Sequence, residues 1–252
     1  MNLESLSIIA PGLVAGVLVL ATHVPLGREV LKRGIIFIDL AVAQMAGLGV
    51  IAAGTVGLET HGVAAQVAAF AAALAGGLLL SWTDHRFGKT QEAIIGVSFV
   101  LAATGGLLLL ANDPHGGEEL RDLLVGQILF ADAHTLLPAA VLAAAVLASW
   151  RFVMRTFGRP GFYLLFAVSV TASVQLVGVY LVFASLMVPA LATRALAKHG
   201  LVAGYAIGLV GYAMGLLLSA VYDLPTGAVI VWTLTLAALL GAALLRRAPA
   251  PL

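Results

Sequence analysis

The stretch FYLLFAVSVTASVQLVGVYLVFASLMVPALATRAL, residues 162–196, decides the kind of protein this is. It carries no charge until Arg194 and is interrupted only by Gly178 and Pro189. A helix rises about 1.5 Å per residue, so about 20 apolar residues cross a hydrocarbon layer about 30 Å thick. The stretch is too long for one ordinary crossing and barely long enough for two. Dividing it at Gly178 makes two spans; one long kinked helix makes one.

Further apolar runs flank it, at about residues 6–23, 34–57, 62–82, 92–111, 135–149, 201–221 and 226–245. Of the 252 residues 62% are apolar and 10% charged, against roughly 25% charged in a soluble domain. A soluble globular protein, a disordered chain and a nucleic-acid-binding domain are excluded. The expected fold is all-α, a polytopic membrane bundle of eight to nine transmembrane helices forming a single domain over residues 1–252. Glu4 stands where a secretory signal would carry Lys or Arg, so the first run reads as a retained helix. Small residues, as in GVAAQVAAFAAALAGG (62–77), let helices approach closely in lipid. The chain has no cysteine, which excludes disulfides, iron–sulfur clusters and thiolate metal sites.

Basic residues orient the spans. Arg28, Lys32 and Arg33 follow the first, Arg86 and Lys89 the third, and Arg151, Arg155 and Arg159 the fifth. Arg194 and Lys198 follow the seventh, and Arg246 and Arg247 the ninth. With the N-terminus outside, all of the 13 basic residues except Arg121 fall on the cytoplasmic side. This sorting favours nine spans and places the C-terminus in the cytoplasm. Most acids, among them Glu4, Glu59, Asp113, Asp132 and Asp223, fall outside.

Chemistry-bearing patterns are few. FGKT (87–90) lacks the first glycine of a phosphate-binding loop, since Thr83 stands there. No serine sits in a nucleophile elbow and no two histidines have i,i+4 zinc spacing. No enzymatic activity is expected of this chain. Asp39 is the one acid deep in a span, and an intramembrane acid is a functional candidate by default. Gln44 lies five residues on, about 140° around a helix. Gln66, Gln127, Ser169, Thr171, Ser173, Gln175 and Ser185 also lie at membrane depth, where interhelical hydrogen bonds are expected. Glu59/His61, Asp113/His115 and Asp132/His134 pair carboxylate with imidazole at the outer surface, a donor set that suits zinc or manganese. Gln91 and Glu92 open the fourth span, where the helix dipole alone accounts for an acid. In WRFVMRTFGRP (150–160), Arg151, Arg155 and Arg159 form one basic stripe, suited to lipid headgroups or to a docked cytoplasmic partner.

Five blocks together resemble the permease family of ABC transporters that imports zinc, manganese or iron. LVGVYLVFASLMVPALATRALA (176–197) resembles the family's most recognisable segment, with Gly178, Pro189 and Arg194 in register. GLLLSAVYDLPTGAVIVW (215–232) resembles its C-terminal signature, with Asp223, Pro225 and Gly227. PLGREVLKRGIIFIDLAVAQMAGLGV (25–50), QEAIIGVSFVLAATGGLLLL (91–110) and ELRDLLVGQILF (119–130) resemble three further blocks, in the family's order. The family usually places Gly-Asp, and a His four residues after that Asp, in the second span. Those Asp and His positions fall here on Leu40 and Gln44, and Asp39 takes the glycine position. Met154 and Gly158 keep the spacing of the family's cytoplasmic coupling segment, without its acid and alanine.

The resemblance implies the membrane-spanning permease subunit of an importer for a divalent transition metal, in a bacterial-type plasma membrane. It implies a homodimer, a separate cytoplasmic ATPase and an extracytoplasmic metal-binding protein. No cofactor is expected to be bound permanently; the metal is cargo. Asp39 and Gln44 become path residues, and Arg151, Met154, Arg155, Gly158 and Arg159 the ATPase-docking segment. The same architecture carrying a metal chelate or cobalamin is the nearest alternative, followed by a proton-coupled carrier in which Asp39 titrates. With the N-terminus outside, a cysteine introduced at His61 should react with a membrane-impermeant thiol reagent on intact cells, and one at Lys89 should not. The reverse labelling would overturn the orientation.

Overall fold

The computed structural model describes residues 3–59, 62–114, 116–126, 128–196 and 199–247. His61, His115, Gln127 and Lys198 lie outside them. Every regular element among the described residues is helical: α1 (Leu3–Arg33), α2 (Ile38–Thr55), α3 (Val63–Phe87), α4 (Gln91–Leu110), α5 (Gly116–Val125), α6 (Ala133–Val177), α7 (Val179–Ala192), α8 (Gly200–Tyr222) and α9 (Thr226–Arg247). Short 3₁₀ turns at Gly88–Thr90 and Ile128–Phe130 complete the chain.

Among the described residues, six continuous apolar segments are long enough to cross a membrane. Two of them are double length. Val63–Leu110 has 48 residues and contains α3 and α4, parted by the 3₁₀ turn. Ala133–Val177 has 45 residues and changes direction at Gly158, where φ is 58° and ψ −120°. Helical backbone cannot continue through those angles. The polytopic all-helical architecture expected from the sequence is present. The break at Gly178 is present too, but α7 beyond it has only 14 residues. That is about 21 Å of helix, short of a full crossing.

Contacts group the chain into two compact units. The first joins Met1–Arg33, Val125–Ala140 and Leu176–Leu252. Here α1 packs on α7 and α8, and α8 on α9. Pro25 lies inside α1 and has no N–H to give Ala21, four residues back. The Tyr205 hydroxyl of α8 donates to that Ala21 carbonyl at 3.1 Å. Ser185 and Tyr212 share a hydrogen bond of 2.8 Å between α7 and α8, and the Thr233 hydroxyl of α9 donates to the Gly211 carbonyl at 2.7 Å.

The second unit joins Gly34–Leu124 and Val141–Gln175. Within it α2 packs on α3 and α4. Phe162, Tyr163 and Phe166 are fully buried, with ring centroids 5.5–5.7 Å apart. Gln91 at the start of α4 donates to the Leu80 carbonyl at 2.8 Å and to the Tyr163 hydroxyl at 3.4 Å.

The polar residues at membrane depth divide in how they are satisfied. Ser169, Thr171 and Ser185 each donate to the carbonyl four residues back in their own helix, at 2.7–2.8 Å. Ser185 also bonds to another helix, through Tyr212. Gln66 and Gln175 are exposed. A hydroxyl within reach of its own helical carbonyl needs no second helix to be satisfied.

One contact in the first unit leaves no room for any side chain. Gly126 and Gly178 meet backbone to backbone, and a Cβ on either would strike the other's main chain. Gly178 has φ 79° and ψ 164°, a region only glycine adopts readily. Gly178→Ala should therefore lose roughly 2–6 kcal/mol, the sum of backbone strain and overpacking. Gly117→Ala, on an open helical position, should gain up to about 1 kcal/mol. Unfolding in detergent checks both, and equal stability of the two variants would contradict the contact's importance.

Candidate functional site

Asp39 is the second residue of α2 and only 1% exposed. Neither of its carboxylate oxygens has a hydrogen-bond partner. Its own amide and that of Leu40, in the first helical turn, are the nearby groups that partly offset its burial. The helix dipole favours a negative charge here but is worth only about 0.3–1 kcal/mol at ordinary sites. A buried carboxylate without partners costs several times that.

The neighbouring acid adds to the cost. Glu92, in the first turn of α4, accepts the Phe37 amide through Oε1 at 3.2 Å. This bond ties α4 to the turn that starts α2. It brings Glu92 within electrostatic reach of Asp39, which it repels. Glu92 Oε2 is buried and has no hydrogen-bond partner. Glu92 is thus held on the turn two residues before Asp39, and three oxygens of the two carboxylates are unpartnered. Gln44, the other expected path residue, is half-buried one and a half turns further on, rotated about 140° from Asp39. The structure brings Asp39 to Glu92 rather than to Gln44.

The basic stripe lies on the 133–157 part of α6 and just past its break. Arg151, Arg155 and Arg159 are exposed, as are Phe152 and Phe157, while Met154 is half-buried. Arg159 approaches Asp84 at 3.9 Å with 60% of its side chain exposed, a pair worth little. Gly158 is the break itself.

The other motif positions are explained by chain path. Pro189 is buried inside α7, and its carbonyl accepts both the Thr193 amide (3.1 Å) and hydroxyl (2.8 Å) where the helix ends. Arg194 follows, exposed, in the turn. Asp223 ends α8 in left-handed conformation with φ 50°. Ser219 secures that turn, its carbonyl accepting the Leu224 amide (3.3 Å) and its hydroxyl donating to the Leu224 carbonyl (2.7 Å). Pro225 then stands just before α9, where its missing N–H costs nothing. Gly227 lets α9 approach the Val125 carbonyl, 2.7 Å from where a Cβ would sit.

Among the described residues no three or more His, Asp or Glu side chains converge as a metal site. Of the outer acid–histidine pairs, His61 and His115 are outside the described residues. Asp132 serves as a helix cap: Oδ1 accepts the Thr135 amide at 2.9 Å, and the Asp132 amide donates to Thr135 Oγ1 at 3.0 Å. The Thr135 amide and hydroxyl hold its carboxyl below the usual aspartate range.

A sequence profile of the ABC 3 transport family matches residues 5–162 and 156–245. The chain belongs to the ABC 3 transport family. Two solved structures share its architecture. One is PsaBC from Streptococcus pneumoniae in complex with Fab, with TM-score 0.74 and 18% identity over 96% of this chain and 95% of that one. The other, assigned as a metal-chelate type ABC transporter, is in an inward-facing conformation; TM-score is 0.61 and identity 19% over 94% of this chain and 83% of that one. At such identities the likeness is one of fold. This ABC 3 chain is accordingly a multi-pass membrane subunit of an ABC transporter.

Sequence reasoning passed over two groups in this ABC 3 chain. Glu92 reads as a dipole-favoured helix start, and nothing in its spacing, 55 residues from Phe37, points to that turn. His23 is fully buried in α1. Its Nδ1 lies 3.0 Å from both the Val19 carbonyl and the Thr22 hydroxyl, and with the proton on Nδ1 it donates to the carbonyl. Nε2 is then a buried lone pair without a partner. The available signal was a histidine inside an apolar run.

The Asp132 cap predicts a pH dependence. A carboxyl with depressed folded-state pKa stabilises above its unfolded value, about 3.9. That contribution disappears as pH falls through the folded value. Asp132→Ala should lower the melting temperature at neutral pH, and the gap to wild type should close in strong acid. A gap independent of pH would contradict the cap.

Proposed function

We propose that this chain is the permease subunit of an ABC importer that moves a divalent transition metal, zinc, manganese or iron, into the cytoplasm. The observation that carries this reading is a buried, unpartnered carboxylate, Asp39, at the start of a membrane helix in an ABC 3 transport chain. Intramembrane acids belong to ion paths far more often than to packing. On this reading residues 1–252 form one permease domain, with Asp39 and Gln44 along the path and no permanently bound cofactor. The chain hydrolyses nothing itself. It works as a homodimer with a cytoplasmic ATPase and an extracytoplasmic metal-binding protein, in a bacterial-type plasma membrane with the N-terminus outside.

The exposed stripe of Arg151, Arg155 and Arg159, with Met154 and the break at Gly158, supplies the docking surface for the ATPase. Exposed Phe152 and Phe157 beside the arginines suit a protein partner, because aromatic and Arg side chains are enriched in interfaces. A second reading, import of a metal chelate, is favoured by the fold likeness to the transporter assigned to that type. A path lined by few charged groups suits an ion already wrapped in a ligand.

Uptake of each metal, free and chelated, in cells lacking this chain tests the reading. Restoring wild type should restore uptake of one divalent metal. Asp39→Asn keeps the size and removes the charge. It should cut uptake about tenfold or more, equivalent to at least ~1.4 kcal/mol on the transport barrier, with normal protein level and ATPase association. Arg155→Glu should reduce transport-coupled ATP hydrolysis several-fold while the permease still inserts. Wild-type uptake from Asp39→Asn would remove Asp39 from the path, and unchanged ATPase recovery from Arg155→Glu would assign the stripe to lipid headgroups.

A further inference from the structure

We propose that Asp39 and Glu92 together form a divalent-cation site built from oxygen donors alone, where α2 and α4 begin. As a station for cargo it rests on the transport reading above; as a binding site it stands on its own geometry.

Three features carry it. Asp39 is 99% removed from solvent and offers both Oδ1 and Oδ2 without a hydrogen-bond partner. Glu92 comes from a different helix, is held in place by the Phe37 amide on Oε1, and leaves a buried Oε2 unpartnered. The bond to Phe37 acts as an orienting contact for a ligand, fixing one oxygen so that the other keeps its direction. The Phe37 amide that holds Glu92 lies two residues before Asp39, which places the two carboxylates at the same helix start. Fully ionised, they supply two negative charges, and they present three buried oxygens without partners. A proton answers one charge and one oxygen; a divalent cation answers both charges and all three.

The donor set also restricts the cation. Carboxylate oxygens without imidazole or thiolate suit manganese, ferrous iron and other hard divalent ions, which take remaining ligands from water. An imidazole at the Gln44 position would have softened the path. Without it, zinc loses the nitrogen ligand that usually favours it, whereas manganese loses little. On the orientation expected from the charges, the site lies at the inner end of the spans, beside the residues that follow Arg33. That is where a cation leaves the membrane for the cytoplasm, and a site of few ligands releases it readily.

The test uses the full-length purified chain in detergent with Mn²⁺ as the probe, read by equilibrium binding and by thermal unfolding. Mn²⁺ should bind wild type and raise its melting temperature, as any ligand of the folded state does. Asp39→Asn and Glu92→Gln should each lose about tenfold or more in Mn²⁺ affinity. Metal-free, neither variant should be less stable than wild type, since each removes one of two repelling buried charges. Glu92→Gln keeps an oxygen for the Phe37 amide, and Asp39→Asn has no hydrogen bond to lose. Asp223→Asn, an exposed turn position that tolerates asparagine, should bind Mn²⁺ as wild type does. Should Glu92→Gln fail to fold, Asp39→Asn decides alone. Wild-type affinity in either variant, or no Mn²⁺ binding by wild type, overturns the site. Uptake measured in parallel separates the two readings: Mn²⁺ bound at these residues in a chain whose complex imports no metal overturns the transport reading and leaves the site.

Discussion

A backbone carbonyl or amide without a partner in hydrocarbon costs several kcal/mol, because no water is present to satisfy it. That constraint shapes this chain wherever a helix is interrupted. Pro25 frees the Ala21 carbonyl, and Tyr205 reaches across from α8 to cap it. The turn from α8 to α9 is closed by Ser219, which serves both the amide and the carbonyl of Leu224. Thr193 serves the Pro189 carbonyl near the end of α7 with both its amide and its hydroxyl. Against these closed helix ends, the open oxygens of Asp39 and Glu92 stand out, as do single buried atoms of His23, Arg28 and Gln91. Protein groups that are expensive to leave bare, and are left bare, are retained for something other than stability.

Much of the architecture was legible because the bilayer imposes lengths that apolar runs must match. The interruption at Gly178 was visible as a glycine in a run too long for one crossing. The shortness of α7 was not, since it follows from the backbone contact of Gly126 with Gly178, two residues far apart in sequence. Gly158 was read as part of a docking motif; its positive φ, which lets one continuous segment supply two spans, depends on three-dimensional chain path.

The site divides the same way. Asp39 announces itself as an acid among apolar residues, and only the fold gives it a neighbour. Glu92 has a sufficient local explanation, and a sufficient local explanation hides a tertiary one. The arginines form one stripe because spacings of four residues return to the same face of a helix, and all three are exposed. Of the membrane hydroxyls, Ser185 does tie two helices together, whereas Ser169 and Thr171 turn to carbonyls of their own helix, which lie at close range.

The shortness of α7 has a bearing on membrane thickness. Most of its residues, including Leu181, Leu186, Met187 and Ala190, are buried, so protein rather than lipid surrounds this helix. Hydrophobic mismatch is felt only at lipid-facing surfaces, at fractions of a kcal/mol per Å. Helix α4, with Val97, Val100, Leu101 and Leu108 turned outward, has to follow the thickness of the bilayer around it. Helix α7 does not. Its length is set by its neighbours, and it keeps the same geometry whether the surrounding lipids are thin or thick.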